Sequence, residues 1–181
     1  MKPVTIIAAL LCALPFFAGA QDDIEWSASK RLSWDDYLAK PSASSEAAAI
    51  TSTAIGIEYH VRNNTFSYSI TCRFSKTRSW GKNKTEYILL HEQGHFDITE
   101  IYARKLAKQL SEYKFNPSNY QTEVTAIYKR IMDEKEEYQE KYDRETDFSR
   151  NKDKQSEWLE TIRQELDDTA DFSNYQSTVN L

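Results

Sequence analysis

Cysteine, glycine and histidine are scarce in this chain of 181 residues, which contains 2, 4 and 3 of them respectively. Four glycines leave little room for a glycine-rich phosphate-binding loop, and the G-x-S-x-G element of many serine hydrolases is absent from the sequence. Cys12 lies in an N-terminal apolar run, so Cys72 is the single cysteine of the remaining chain and has no internal partner for a disulfide. A small exported domain without disulfides is typical of a bacterial periplasm or exterior.

The sequence also lacks a basic cluster and a long apolar segment. Its 23 basic residues are interleaved with 28 acidic ones, for a net charge of −5, so nucleic acid is not an expected partner. The apolar run of residues 4–17 is shorter than the ~20 residues that span a bilayer. It follows Lys2 and precedes Ala18-Gly19-Ala20, the pattern of a cleaved secretory signal. We therefore predict a signal peptide over residues 1–20, a secreted or periplasmic mature protein and no stable membrane insertion.

Alternating apolar and polar residues in the first half predict a β-hairpin. The alternation covers residues 55–61 and again 66–74, with a turn at Asn63-Asn64. Cys72 shares the apolar face and is expected to be a buried small hydrophobe. His60 lies on the opposite face, where solvent exposure is the simpler interpretation, and a ligand role stays open if that face lines a cleft.

Helical periodicity dominates the second half. A helix with Asn83 as its N-cap is predicted to run to about residue 113, because Glu86 three residues later completes a capping-box pattern. Asn116-Pro117 ends that helix, and two further helices are expected, from about 118 into the 140s and near 150–168. The predicted fold class is α+β, a small antiparallel β-sheet packed on long α-helices.

The first predicted helix contains the motif His91-Glu92-Gln93-Gly94-His95, or HExxH. Four residues advance a helix by just over one turn, so the two imidazoles point to the same side and can reach one ion. Imidazole nitrogen is a common zinc ligand, and Glu92 lies beside the pair, where its carboxylate can accept a proton from an attacking water. This zincin-like helix predicts His91 and His95 as ligands of Zn²⁺ and Glu92 as the general base. A chance match is the alternative, but the chain has only three histidines.

Three segments of the chain resemble the domain of unknown function 922, a family predicted to contain secreted zinc-dependent proteases of bacteria. Residues 32–41 are similar to its opening pattern LxWxDF…KP, residues 89–100 to its helix around HExxH, and residues 142–149 to the pattern YDxETxHG. The resemblance implies a zincin-type domain that binds zinc and acts on a peptide or protein. We assign this single domain to residues 21–170 and predict a loosely ordered tail over 171–181.

The third segment departs from the family pattern at two positions. Phe148 stands where the pattern has histidine, and Ser149 stands where it has glycine. If that histidine is the third metal ligand, a neighbouring carboxylate has to replace it. Glu145, three residues before Phe148, is the predicted replacement, with Asp147 as the alternative if the helix ends there and Asp143 as a weaker candidate. A set of two histidines and a carboxylate is an established zinc site.

Several other polar residues could support such a site. Asp97 and Glu100 could orient a ligand histidine or bind a neighbouring basic group, and Arg104 is a suitable partner for Glu100 at the i+4 position. Three tyrosines could donate a hydroxyl to a developing oxyanion, although packing is the simpler role for most of them: Tyr102, Tyr138 and Tyr142.

The sequence as a whole predicts a secreted or periplasmic zinc-dependent metallohydrolase, in particular a peptidase. By analogy with other zincins, an edge strand of the hairpin sheet would align an extended substrate beside the helix. One alternative is a catalytically degenerate cell-envelope binding module that has lost its third ligand at Phe148. A purely structural zinc site is a second alternative, and it would require four protein ligands.

Overall fold

The computed structural model describes residues 23–62, 65–175 and 177–179 of the chain. The predicted signal peptide, residues 1–20, and the predicted turn at Asn63-Asn64 lie outside the described residues. The long helices are α1 (Glu86–Ser111), α2 (Tyr120–Glu145) and α3 (Lys152–Asp168). The strands are β1 (Asp23–Glu25), β2 (Ala49–Ile50), β3 (Thr53–Arg62), β4 (Thr65–Ser75), β5 (Trp80–Gly81) and β6 (Ser177–Val179). The predicted α+β class, with a small antiparallel sheet and long helices, is confirmed.

The predicted hairpin forms the centre of the main sheet. Strands β3 and β4 pair antiparallel, with Ile55 opposite Cys72. Strands β1 and β6 both pair antiparallel with the other edge of β4, one near each end, whereas β2 and β5 form a separate two-stranded sheet. The apolar face of β4, which includes Cys72 as predicted, is buried and contacts α1. His60 is exposed on the opposite face.

Helix α1 runs through the centre of the core. Its buried side chains face the sheet on one side and α2 and α3 on the others. Several of them are polar, and pairs such as Glu100 with Arg104 satisfy buried charges within the core. The N-cap is Thr85, two residues later than the predicted Asn83. The backbone N–H of Asn83 donates to Ala48 O, which ties Asn83 to the loop before β2, and the Thr85 side chain accepts from Ile88 N at 3.2 Å. Within the described residues, we find no helix with the length and apolar character needed to cross a membrane.

A left-handed turn connects α2 to α3. Asp147, Phe148 and Ser149 have φ angles of 50°, 53° and 70°, a region that costs a non-glycine residue about 1–2 kcal/mol. Ser149 occupies the position where the resembled pattern has glycine, the residue that adopts such angles most easily. Asn151 then caps α3 by accepting from Lys154 N at 3.1 Å. After the turn, α3 packs against α1.

The described part of the C-terminal segment 171–179 has defined contacts. The Tyr175 hydroxyl donates to the buried Glu100 carboxylate of α1, and β6 pairs with β4. These contacts join Tyr175 to α1 and residues 177–179 to the sheet.

Candidate metal centre

Helices α1 and α2 bring together three side chains of the kinds that can bind a metal. The Oδ1 atom of Asp143, on α2, lies 3.1 Å from Nε2 of His91 and 3.0 Å from Nε2 of His95. The ligand atoms of these three residues all lie within 4.8 Å of one another. Two atoms that bind a tetrahedral zinc ion at about 2.0–2.1 Å are about 3.3 Å apart. The two carboxylate–imidazole distances are within a few tenths of an ångström of this spacing, so the three side chains could hold a small divalent cation after a small adjustment.

The carboxylate in this cluster is Asp143, and neither Glu145 nor Asp147 joins it. Glu145 accepts a hydrogen bond from Trp158 Nε1 at 2.9 Å, and Asp147 is exposed and pairs with Arg150. Glu145 follows Asp143 by two residues, which is about 200° around a helix, so the two carboxylates point to different neighbours. Among the described residues, Asp143 supplies the third donor that the sequence analysis had assigned to Glu145. Metal binding itself stays a prediction.

The phenylalanine that replaces the family's histidine lies away from this cluster. Phe148 is 59% exposed and its ring contacts the guanidinium of Arg150. It belongs to the left-handed turn, where the i,i+3 relation of a helix no longer holds, so it shares no helical face with Glu145. The substitution at position 148 therefore leaves the set of His91, His95 and Asp143 intact.

A tyrosine and a glycine set the distance between the two helices at the site. The Tyr142 ring stacks on the His91 ring with centroids 4.5 Å apart, and its hydroxyl donates to His91 O at 3.3 Å. Tyr142 is fully buried and also packs against Trp158. A Cβ atom added at Gly94 would lie 2.6 Å from the Tyr142 hydroxyl oxygen. The missing side chain at Gly94 is what lets Tyr142, and Asp143 next to it, approach α1.

Replacing Gly94 with alanine is therefore expected to destabilise the protein, by about 1–3 kcal/mol of unfolding free energy. The greater helix propensity of alanine offsets at most about 1 kcal/mol of this loss. The Tyr142 ring cannot move aside, because it is held between His91 and Trp158. Denaturant unfolding of the Gly94→Ala variant measures the effect. Gly94→Ala should cost less in a Tyr142→Phe background, which lacks the clashing oxygen, and an equal cost in both backgrounds would contradict this account.

Glu92 is buried beside the donors but does not bind them. The residue is 5% exposed, and no hydrogen bond or ion pair to its carboxylate is present within the described part of the chain. Burial raises the pKa of Tyr142, and the negative charges of Glu92 and Asp143 raise it further. The Glu92 carboxylate therefore lies near His91, His95 and Asp143, and its oxygens are free to accept a proton.

The side chains of His91, His95 and Asp143 change one another's pKa values. Burial lowers the pKa of His95, but the hydrogen bond and charge of Asp143 outweigh it and raise the value to about 9. Burial and the charge of His95 lower the pKa of His91, and together they outweigh the opposite effects of Asp143 and Glu92. Burial raises the pKa of Asp143, but the hydrogen bonds and charges of both histidines hold it well below its ordinary range. A proton and a divalent cation would thus compete for the space between His95 and Asp143.

The acids that follow the motif on α1 support the fold around the site. Asp97 accepts from Trp26 Nε1, Arg31 and Gln93 at 2.8–2.9 Å, which anchors the segment after β1. It therefore binds a neighbouring basic group, the second of its two predicted roles. The predicted pair of Glu100 with Arg104 is present, with Arg104 Nε donating at 2.8 Å.

A further side chain that contacts one of the two motif histidines is Gln139, which the sequence analysis did not single out. Its Oε1 atom lies against Nδ1 of His95. Gln139 is four residues before Asp143 and so shares its helical face, but this signal becomes visible only once Asp143 is known to face α1. Among the predicted tyrosines, Tyr138 donates to Glu165, and Tyr102 packs against the Tyr138 ring.

The model of one protein family, described as bacterial protein of unknown function (DUF922), matches residues 29–150. The matched span contains α1, α2 and all three donor residues. No curated protein and no protein of known structure matches the chain significantly.

Proposed function

The chain belongs to the DUF922 family of bacterial proteins of unknown function, and we propose that it acts as a zinc-dependent peptidase. The observation that carries the proposal is the convergence of two imidazoles and one carboxylate beside a second, unpaired carboxylate. The site of action would be the periplasm or the exterior, as the signal-peptide pattern over residues 1–20 indicates.

His91, His95 and Asp143 are the proposed zinc ligands. Three protein ligands leave the fourth position of a tetrahedral ion open, which is the pattern of catalytic zinc sites, whereas structural sites use four. When bound, zinc would supply a Lewis acid that polarises the scissile carbonyl and makes water more acidic.

Glu92 is the proposed general base. Its carboxylate would accept a proton from the attacking water and later deliver that proton to the leaving amine. No hydrogen bond or ion pair occupies this carboxylate within the described part of the chain, so its oxygens are available to a water molecule. Glu92 is adjacent to His91 in the chain, so α1 alone sets their relative positions.

An extended peptide is the proposed substrate class, aligned along β3. One edge of β3 pairs with β4, and within the described residues no strand pairs with the other edge, so a peptide could add there. The beginning of β3 lies near the site, because the Thr53 hydroxyl is 2.7 Å from that of Thr99, one turn after His95. The Tyr128 hydroxyl already donates to Ile55 O at 2.8 Å, so a peptide would have to use other backbone groups of this edge.

Metal removal tests the proposal. We expect the purified mature protein to hold about one zinc ion per chain and to cleave an unfolded protein such as casein. A zinc chelator should abolish cleavage, and one equivalent of zinc should restore it. Elemental analysis and the release of acid-soluble peptides are the two measurements.

Two results would contradict the proposal in different ways. A protein that binds no zinc at micromolar concentration would be the degenerate binding module. A protein that binds zinc tightly but cleaves nothing, and whose ion shows four protein ligands by X-ray absorption, would have a structural site.

A further inference from the structure

Gln139 contacts His95 on both its ring and its main chain. The Oε1 atom lies against Nδ1 of the imidazole, and Nε2 donates to His95 O at 2.9 Å. Nε2 also lies 3.3 Å from Thr99 Oγ1. The side chain therefore bridges α2 to the turn of α1 that carries the second histidine of the motif.

The main-chain contact determines which way the Gln139 amide faces. A carbonyl oxygen only accepts hydrogen bonds, so the group that faces His95 O has to be the amide NH₂. The Thr99 hydroxyl donates to the same carbonyl at 2.9 Å, so this hydroxyl can only accept from Gln139. The reversed amide would place its oxygen against the carbonyl oxygen. Oε1 is therefore the atom that faces Nδ1.

An oxygen beside Nδ1 requires a proton on that nitrogen. When a metal ion displaces the second proton, which lies between His95 and Asp143, the neutral imidazole keeps its one proton on Nδ1 and Nε2 has a lone pair. This Nε2 is the atom that lies 3.0 Å from Asp143 Oδ1. His91 differs, because its Nδ1 is buried and has no hydrogen-bond partner in the part of the chain that the structure describes.

We propose that Gln139 is a positioning residue that keeps the proton of His95 on Nδ1 and directs the lone pair of Nε2 toward a cation at Asp143. The inference rests on the proposed function, since the Nε2 lone pair of His95 faces the Asp143 carboxylate favourably only when a cation lies between them. Loss of the group that orients a ligand histidine typically weakens metal binding by about 10–100-fold.

Two substitutions at position 139 separate positioning from packing. Gln139→Leu removes the acceptor, so we expect zinc to bind about 10–100-fold more weakly and the Nδ1 proton to exchange faster. Gln139→Glu retains the acceptor oxygen but loses the amide that donates to His95 O, so we expect it to keep the Nδ1 proton and to bind zinc more tightly than Gln139→Leu. Gln121→Leu, at an exposed position of the same helix, is the matched control and should change neither property.

Nitrogen-15 NMR of histidine-labelled protein measures the proton on Nδ1, without metal and with zinc added, and a competition titration measures zinc affinity. An unchanged, slowly exchanging Nδ1 proton in Gln139→Leu would overturn the proposal. Equal losses of affinity in Gln139→Leu and Gln139→Glu would also overturn it, because the acceptor oxygen would then have no effect on zinc binding. A protein that binds no zinc but keeps a Gln139-dependent Nδ1 proton would defeat the proposed function and leave the assignment of Gln139 intact.

Discussion

Replacing Glu92 with glutamine is expected to slow peptide cleavage by about 10²–10⁴-fold and to leave zinc binding unchanged. Glutamine has nearly the same shape as glutamate, but its amide cannot accept the proton of an attacking water. The three proposed ligands are other residues, so the ion should stay bound. Turnover and zinc content, measured on the same preparation, test both halves of the expectation.

Stability provides an internal check on this substitution. Glu92 accepts no hydrogen bond and forms no ion pair within the described part of the chain, so Glu92→Gln breaks no such contact and should change the free energy of unfolding by less than about 1 kcal/mol. Glu112→Gln, at the exposed C-terminal end of α1, makes the same chemical change away from the site and should leave cleavage unchanged. If Glu92→Gln cleaves as fast as the original protein, Glu92 is not the base. If it loses zinc, Glu92 contributes to metal binding instead.

Local periodicity made half of the candidate site predictable. His91 and His95 are one turn apart on a helix, so their common direction follows from the spacing alone. Similarly, alternation predicted the β3–β4 hairpin and the burial of Cys72. Each of these inferences needs only neighbours in sequence, within one helix or one strand.

The third donor could not be found in this way, because it depends on the contact between two helices. Which face of α2 meets α1 depends on Tyr142, whose ring fits against Gly94 and His91 and so directs Asp143 toward the two imidazoles. The assignment of Glu145 assumed that the helix continues to Phe148. The chain instead enters a left-handed turn after α2, and no periodicity signals a run of three such residues.

The prediction of Asn83 as the N-cap of α1 was wrong because of a contact that the local sequence does not show. Asn83 has the right residue type and a suitable Glu86 after it, but its backbone N–H is used by Ala48 O. Thr85 caps the helix because it is the nearest hydroxyl outside this loop contact. Contacts between distant parts of the chain thus decided both the start of the helix and the identity of the third donor.

Replacing Asp143 with asparagine is expected to weaken zinc binding by more than about 100-fold. Loss of a residue that only orients a ligand typically weakens binding by at most about that factor. Asparagine keeps the size of the side chain but lacks the negative charge that attracts the cation. A competition titration with a zinc-binding dye measures the affinity. Glu145→Gln is the decisive comparison, because it removes the carboxylate that the sequence had favoured, and it should leave zinc affinity unchanged. Asp133→Asn, an exposed position on the same helix, is a second control.

Asp143→Asn should also change how the stability of the metal-free protein depends on pH. The pKa of His95 rises from its ordinary value of 6.5 to about 9 in the folded state, chiefly because Asp143 outweighs the effect of burial. A raised histidine pKa stabilises the fold fully below about pH 6.5, and this contribution is lost as the pH rises through about 9. Asp143→Asn removes the cause of the increase, so its free energy of unfolding should fall less between pH 6.5 and 9. An unchanged slope, together with unchanged zinc affinity, would show that Asp143 neither pairs with His95 nor binds the metal.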